Sequence, residues 1–193
     1  MVKLLDGDLH AKYFCDMTYA QPMIDFPSPA MRAWKKCLPD LRAEVINGKL
    51  YVTGSPSTYH ARLSRNIAVP LATYVDAGRL GEVFYAPVDL YLGHDIVVPD
   101  LMFISKNGRA EIRRDGVYGP PDIVIEILSP GTQRRDLTFK KDLYEKSGVL
   151  EYWVVDPETN NAKGFVLKDE KYGEAVVSNS SIHFHVLDKL IDF

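Results

Sequence analysis

Residues 120–130 read Pro120-Pro121-Asp122-Ile123-Val124-Ile125-Glu126-Ile127-Leu128-Ser129-Pro130. The apolar, β-branched run between prolines predicts a buried strand, and it sets one carboxylate, Glu126, among Ile and Leu side chains. An ionised acid in such surroundings is costly unless a cation or hydrogen-bond donors meet it. The chain offers two groups for the same place. Asp100 follows another apolar strand, and Lys140 lies on the helix after Glu126. Two carboxylates and a lysine converging on one point are what metal-assisted phosphodiester hydrolysis needs.

Downstream, Thr132 is placed to cap a helix from Gln133 to Ser147. Gly148 ends it, and Glu151 to Val155 is a strand stopped by Asp156-Pro157, after which short strands alternate with turns. Upstream, strands from Glu82 to Leu92 and from Ile96 to Ile104 are joined by Gly93-His94-Asp95, and the polar segment Ser105 to Gly119 reads as a loop or partner contact. Ser57 caps a helix running to about Asp76. Leu63, Ile67 and Leu71 line one of its faces, Pro70 sits inside it, and Gly78 closes it. Asn47-Gly48 between two apolar runs, Ala43 to Ile46 and Leu50 to Thr53, marks a hairpin. Residues 1–40 read as an irregular arm with a short helix near Ala30 to Cys37, leaving 41–193 as the folded domain. Helix, three strands, helix and strand, with further β-structure on either side, imply an α/β or α+β layer fold.

With 193 residues, 46% of them hydrophobic, the chain can bury one good core and is expected to form one domain. A net charge of −3 gives no global attraction to nucleic acid, which argues against a coat protein but not against an enzyme with local positive charge. Cys15 and Cys37 lack metal-ligand spacing and suit a reducing cytosol, with one disulfide between them left open. No apolar run approaches the roughly 20 residues that span a bilayer, and Met1 to His10 has no apolar signal core. The expectation is a cytoplasmic protein with no membrane partner. His183 and His185 alternate on a late strand without a third ligand, which argues against zinc.

Strand alternation puts Ile96, Val98, Asp100 and Met102 on one face, and Asp122, Val124, Glu126 and Leu128 on one face of the later strand. If the two strands are neighbours, Asp100 and Glu126 meet, and a hard cation such as Mg2+ or Mn2+ prefers oxygen ligands of this kind. In the other reading Asp100 caps a turn after Pro99, and Glu126 pairs with an arginine. Residue types alone leave both open. Asp136, Lys140 and Tyr144, at i, i+4 and i+8, form a stripe beside the Glu126 strand. Lys140 is there either to hold the attacking water and meet charge developing on a phosphoryl oxygen, or as half of an ordinary exposed Asp–Lys pair. Arg134 and Arg135, in the first helical turn, oppose the helix dipole unless an anion such as phosphate visits; otherwise they are solvated surface cations. Tyr144 and Trp153 read as core aromatics rather than nucleobase platforms.

Val98-Pro99-Asp100 followed by the 121–130 stretch resembles the PD-(D/E)XK restriction-endonuclease-like superfamily. The similarity is closer to its Uma-two branch, through Asp136, Lys140, Tyr144 and Gly148 to Pro157, and upstream through Glu44 to Leu50, Ser55-Pro56 and His60. It covers roughly residues 38–160. The resemblance implies an αβββαβ core, a central mixed sheet flanked by helices with added N- and C-terminal β elements. It also implies Asp100 and Glu126 as ligands of Mg2+ or Mn2+. Two positions after the motif glutamate the superfamily usually carries lysine, where this chain has Leu128; the Uma-two pattern supplies a lysine from the next helix, matching Lys140. His60, on the first helix, is expected either to assist proton transfer or bind phosphate, or to be structural. Glu44 is either an acid behind the ligands or a plain strand residue. The expected function is a Mg2+-dependent endonuclease acting on DNA, working as a homodimer. A non-catalytic dimeric binding module that keeps the nuclease fold is the alternative, and a two-carboxylate glycosidase is the reading furthest from the residues.

Overall fold

The computed structural model describes residues 43–193, and the first described element is a hairpin fixed by its turn. Asn47 and Gly48 both take positive φ, 53° and 74°, the geometry that a two-residue hairpin turn of matching twist requires. Strands β1 (Ala43–Ile46) and β2 (Lys49–Val52) pair in the register this turn dictates, with Glu44 opposite Tyr51. The arm expected over residues 1–40, its short helix and both cysteines lie outside the described residues.

Helix α1 (Thr58–Gly78) starts on Ser57, whose hydroxyl accepts the His60 N–H at 3.2 Å. It buries Leu63, Ile67, Leu71 and Val75 on one face. Its end departs from expectation. Gly78 stays helical and Arg79 takes the left-handed conformation, φ 50°, bonding its N–H to the Asp76 carbonyl.

The two long strands expected next are each divided. The first becomes β3 (Gly81–Tyr85) and β4 (Leu90–Leu92), and the second β5 (Asp95–Val97) and β6 (Leu101–Ser105). The breaks fall around Pro87 and Pro99, which have no N–H to give a ladder. At each the chain changes sheet: β3 pairs with β6, while β4 pairs with β5. Alternation therefore does not run through Pro99. Ile96 packs with the first hairpin, whereas Met102 packs under the Glu126 strand. The polar 105–119 segment is also more ordered than expected. It forms β7 (Glu111–Arg113) and β8 (Gly116–Tyr118), and β8 joins β4 in parallel.

One sheet then has the order β2-β1-β5-β4-β8-β7. The other contains β9 (Ile123–Ile127), β10 (Glu151–Val155), β11 (Asn161–Lys168), β12 (Lys171–Tyr172) and β13 (Val176–Asn179), and runs β12-β11-β10-β9-β6-β3, with β13 also on β11. A small hairpin, β14 (Ser181–Phe184) and β15 (Lys189–Asp192), closes the chain. The series α1-β3-β6-β9, then helix α2 over residues 133–147, then β10, is the expected αβββαβ core around a mixed sheet, since β9 is antiparallel to β6 and parallel to β10.

Helix α2, residues 133–147, is α-helical at Gln133–Arg135, a π-turn at Asp136–Lys140, and α-helical again at Lys141–Ser147. Thr132 does not cap it through its side chain; its hydroxyl meets that of Ser129 at 2.9 Å. Gly148, φ 87°, ends it as expected. No helix among the described residues is long and apolar enough to cross a membrane.

The second sheet is covered on both faces, which explains the unbroken apolar β9. Ile123, Ile125, Ile127 and Trp153 pack against α1, while Val124, Val154 and Met102 pack with Tyr144 and Tyr152 on the other side. Trp153 lies across its partner strand at Gly164, where a Cβ would stand 2.4 Å from indole carbons. Gly164→Ala is therefore expected to lower stability by about 1–3 kcal/mol, the usual penalty for overpacking, read as a lower urea midpoint. An unchanged midpoint would show that Trp153 has room to move.

Candidate active site

The site lies where three elements meet: the junction of β5 and β6, the end of β9, and the π-turn of α2. β6 and β9 are antiparallel neighbours with Leu101 opposite Ile125, so the register extended by one residue sets Asp100 opposite Glu126. Asp100 Oδ2 accepts the Ile127 N–H at 2.8 Å and stands 3.1 Å from His60 Nε2, which α1 delivers from its first turn. Burial alone would raise the Asp100 carboxyl, but the His60 hydrogen bond and charge, the Ile127 N–H and Lys140 together hold it below the usual range.

Glu126 is surrounded differently. Its Oε1 accepts from Lys140 Nζ at 2.8 Å and from the Tyr144 hydroxyl at 2.8 Å. Burial pushes its carboxyl up to about 8 against the opposing pull of Lys140, and the nearby Asp136, Asp100 and Glu44 add to the rise. Lys140 Nζ also lies 2.7 Å from Glu44 Oε1 and 3.5 Å from Asp136 Oδ1. Burial would discharge such an amine, but Glu126, Glu44 and Asp136 outweigh it and push its pKa well above the ordinary lysine value. The surrounding carboxylates thus favour the ammonium form of Lys140. Tyr144 is buried, as a core aromatic would be, yet its hydroxyl serves Glu126.

Glu44 reaches this cluster from β1. Its Oε1 accepts the Val98 N–H at 3.0 Å as well as Lys140, and its Oε2 lies 3.0 Å from Arg135 Nη2. Arg135 is neither a solvated cation nor open to a phosphate. It is 4% exposed, rests over the Tyr51 ring at 4.9 Å, and meets Glu44 as a charge, off the hydrogen-bond direction. Arg134, its neighbour, stays exposed. Tyr51 was missed from sequence, although the hairpin register that pairs it with Glu44 follows from the Asn47-Gly48 turn. Asp136 is buried, with Oδ1 lacking a hydrogen-bond donor among the described residues. Its carboxyl is raised by burial, which the Lys140 charge only partly offsets.

An open cleft of about 1480 Å3 runs along α1 and is lined by the buried Asp100 and His60 at its floor and by Arg65, Tyr85 and Arg114; Glu126 does not line it. Four buried carboxylates, Glu44, Asp100, Glu126 and Asp136, face two buried cations, Lys140 and Arg135. Fully ionised, the cluster has an excess of two negative charges, the charge of one divalent cation. Asp100 and Glu126 are oxygen donors of the kind such an ion takes. Among the described residues no three His, Cys, Asp or Glu side chains form a ready metal cage. Two carboxylates fit a Mg2+-like ion that keeps waters and takes substrate oxygens.

The family model described as "Uma2: Putative restriction endonuclease" matches residues 32–188. A crystal structure of "a putative nuclease belonging to DUF820 from Anabaena variabilis ATCC 29413" shares this fold. It has a TM-score of 0.62 and 22% sequence identity, over 76% of this chain and 83% of that one. No curated protein matches.

Because the Glu126 carboxyl rises from an ordinary 4.5 to about 8 on folding, the folded state favours its proton. That contribution to stability is complete below the ordinary value and is lost as pH rises through about 8. In metal-free protein, wild type is expected to lose stability relative to Glu126→Gln between pH 5 and 8, by roughly 1 kcal/mol per pH unit. Urea denaturation in a chelator at several pH values measures this. Parallel curves for the two proteins would show that Glu126 stays ionised in the fold.

Proposed function

We propose, for a chain that belongs to the Uma2 family of restriction-endonuclease-like proteins, that it is a divalent-metal-dependent endonuclease that hydrolyses phosphodiester bonds in DNA. The observation that carries this reading is the placing of Asp100, just before β6, opposite Glu126 on β9, with Lys140 on Glu126 and Asp100 at the wall of an open cleft.

Asp100 and Glu126 would hold Mg2+ or Mn2+. When bound, such an ion lowers the pKa of a water and offsets charge on the phosphate. The chain's own residues prepare the site. His60 and the Ile127 N–H fix one oxygen of Asp100, so the carboxylate faces the cleft in one orientation. In this reading His60 has an orienting role. Lys140 and Tyr144 fix one oxygen of Glu126 in the same way. Lys140 also projects positive potential toward the scissile phosphate, worth most where water is excluded. The missing strand lysine at Leu128 is thereby answered from α2.

Plasmid cleavage with Mg2+ or Mn2+ tests the proposal. Asp100→Asn and Glu126→Gln are each expected to lose about two orders of magnitude or more, the scale of removing one transition-state contact. Lys141→Ala should change little, because Lys141 lies over the Phe165 and Tyr172 rings at 5.0 and 5.7 Å, away from the acids. DNA binding without cleavage in wild type would favour the binding-module alternative.

A two-fold homodimer in the cytoplasm belongs to the same proposal, since two symmetric sites suit a duplex. In support, the edge strand β13 exposes Val176 and Val177, which are 43% and 68% accessible. Sedimentation at micromolar concentration should show a dimer, and a monomer there would refute it.

A further inference from the structure

We infer that Glu44 is the positioning residue that makes a helix-borne lysine serviceable at this site. The inference rests on the nuclease reading for its consequence and on geometry alone for its cause. A lysine on β9 beside Glu126 would be aimed by the strand. Lys140 instead crosses from α2 on a flexible stem, whose rotamer freedom has to be removed for the ammonium to stay in place. Glu126 accounts for one of its N–H groups at 2.8 Å, and Asp136, at 3.5 Å, is too distant for a firm hydrogen bond. The shortest contact, 2.7 Å, is to Glu44 Oε1.

That same oxygen accepts the Val98 N–H at 3.0 Å. Val98 is two residues before Asp100, in the turn where the chain passes from β5 to β6. One atom of Glu44 therefore ties the ammonium to the backbone corner that carries Asp100, while Glu126 ties it to β9. The other Glu44 oxygen faces Arg135 Nη2 at 3.0 Å, and that guanidinium rests over the Tyr51 ring. Glu44 touches neither Asp100 nor Glu126, so it acts through Lys140 and the Val98 corner.

The test uses the full chain with Glu44→Gln, Glu44→Ala and the double variant Glu44→Ala/Arg135→Ala, each checked for folding by circular dichroism and melting. The double variant removes both members of the ion pair and leaves no orphaned buried charge between them. Lysine acetylation under native conditions, read by mass spectrometry, reports how well Lys140 is held, with Lys141 as the internal control. Lys140 should be protected in wild type and labelled about tenfold faster or more in the folded Ala variants, the scale of losing one charged hydrogen bond. Glu44→Gln should fall between. Plasmid cleavage in the same proteins should drop by about tenfold or more at nearly unchanged Mn2+ affinity. If Lys140 stays protected in a folded variant lacking Glu44, the inference is overturned, because Glu126 and Asp136 then suffice. If wild type cleaves no DNA, the nuclease reading fails, and the labelling comparison still decides the role of Glu44.

Discussion

A buried ammonium surrounded by carboxylates organises this fold. Lys140 is 3% exposed and lies within 4 Å of Glu44, Glu126 and Asp136, which come from β1, β9 and α2. None of these acids would be tolerated ionised at its depth without a cation, and the amine would not stay charged there without the acids. The first hairpin, the central strand and the second helix are thus bound into one electrostatic unit, and each must sit where it does for the other two to be buried. Arg135 extends the unit to Tyr51.

Fully ionised, the unit with Asp100 has more acids than cations, and the acids differ in how firmly they hold their charge. Asp100 is held as an anion by His60 and a backbone N–H, while Glu126 is driven toward its neutral form by burial and by the other acids. Neighbouring groups pushed in opposite directions are common where function is built in. Asp100, the acid held as an anion, is the one that lines the cleft.

Much of this was legible in residues alone. The placement of Glu126 in an apolar strand and the two-residue turn follow from local patterns of hydrophobicity and turn chemistry, whereas the meeting of Asp100 with Glu126 was left open by residue types, since strand pairing is not a local property. The division of two strands around Pro87 and Pro99 was not legible, because a proline in an apolar run does not say whether the chain ends, bends or changes partner. Arg135 was misread as a surface group, since position in a helical turn carries no information about the hairpin that will cover it. The Asp136, Lys140 and Tyr144 stripe was drawn for a plain α-helix, in which each four-residue step overshoots a full turn by about 40°. The π-turn at 136–140 winds less per residue and opposes that drift. Such a local expansion, frequent at functional sites, leaves no mark in periodicity.

The change of sheet at Pro87 and Pro99 divides labour within the molecule. The cleft wall facing α1 takes Tyr91, Val98 and the Arg114 to Gly116 turn from the first sheet, whereas Glu126 and the strands that fix it belong to the second. The exposed turns of the outer sheet can therefore be lengthened or recharged, while its strands are tied to β9 by Leu90 and Val117, which share a core cluster with Val124. Glu44 and the Val98 corner are bound further, because they belong to the outer layer yet bond to the charged cluster. A chain built this way can vary what it admits while conserving the charges that act on it, and drift is confined by a single hairpin that cannot be remodelled freely.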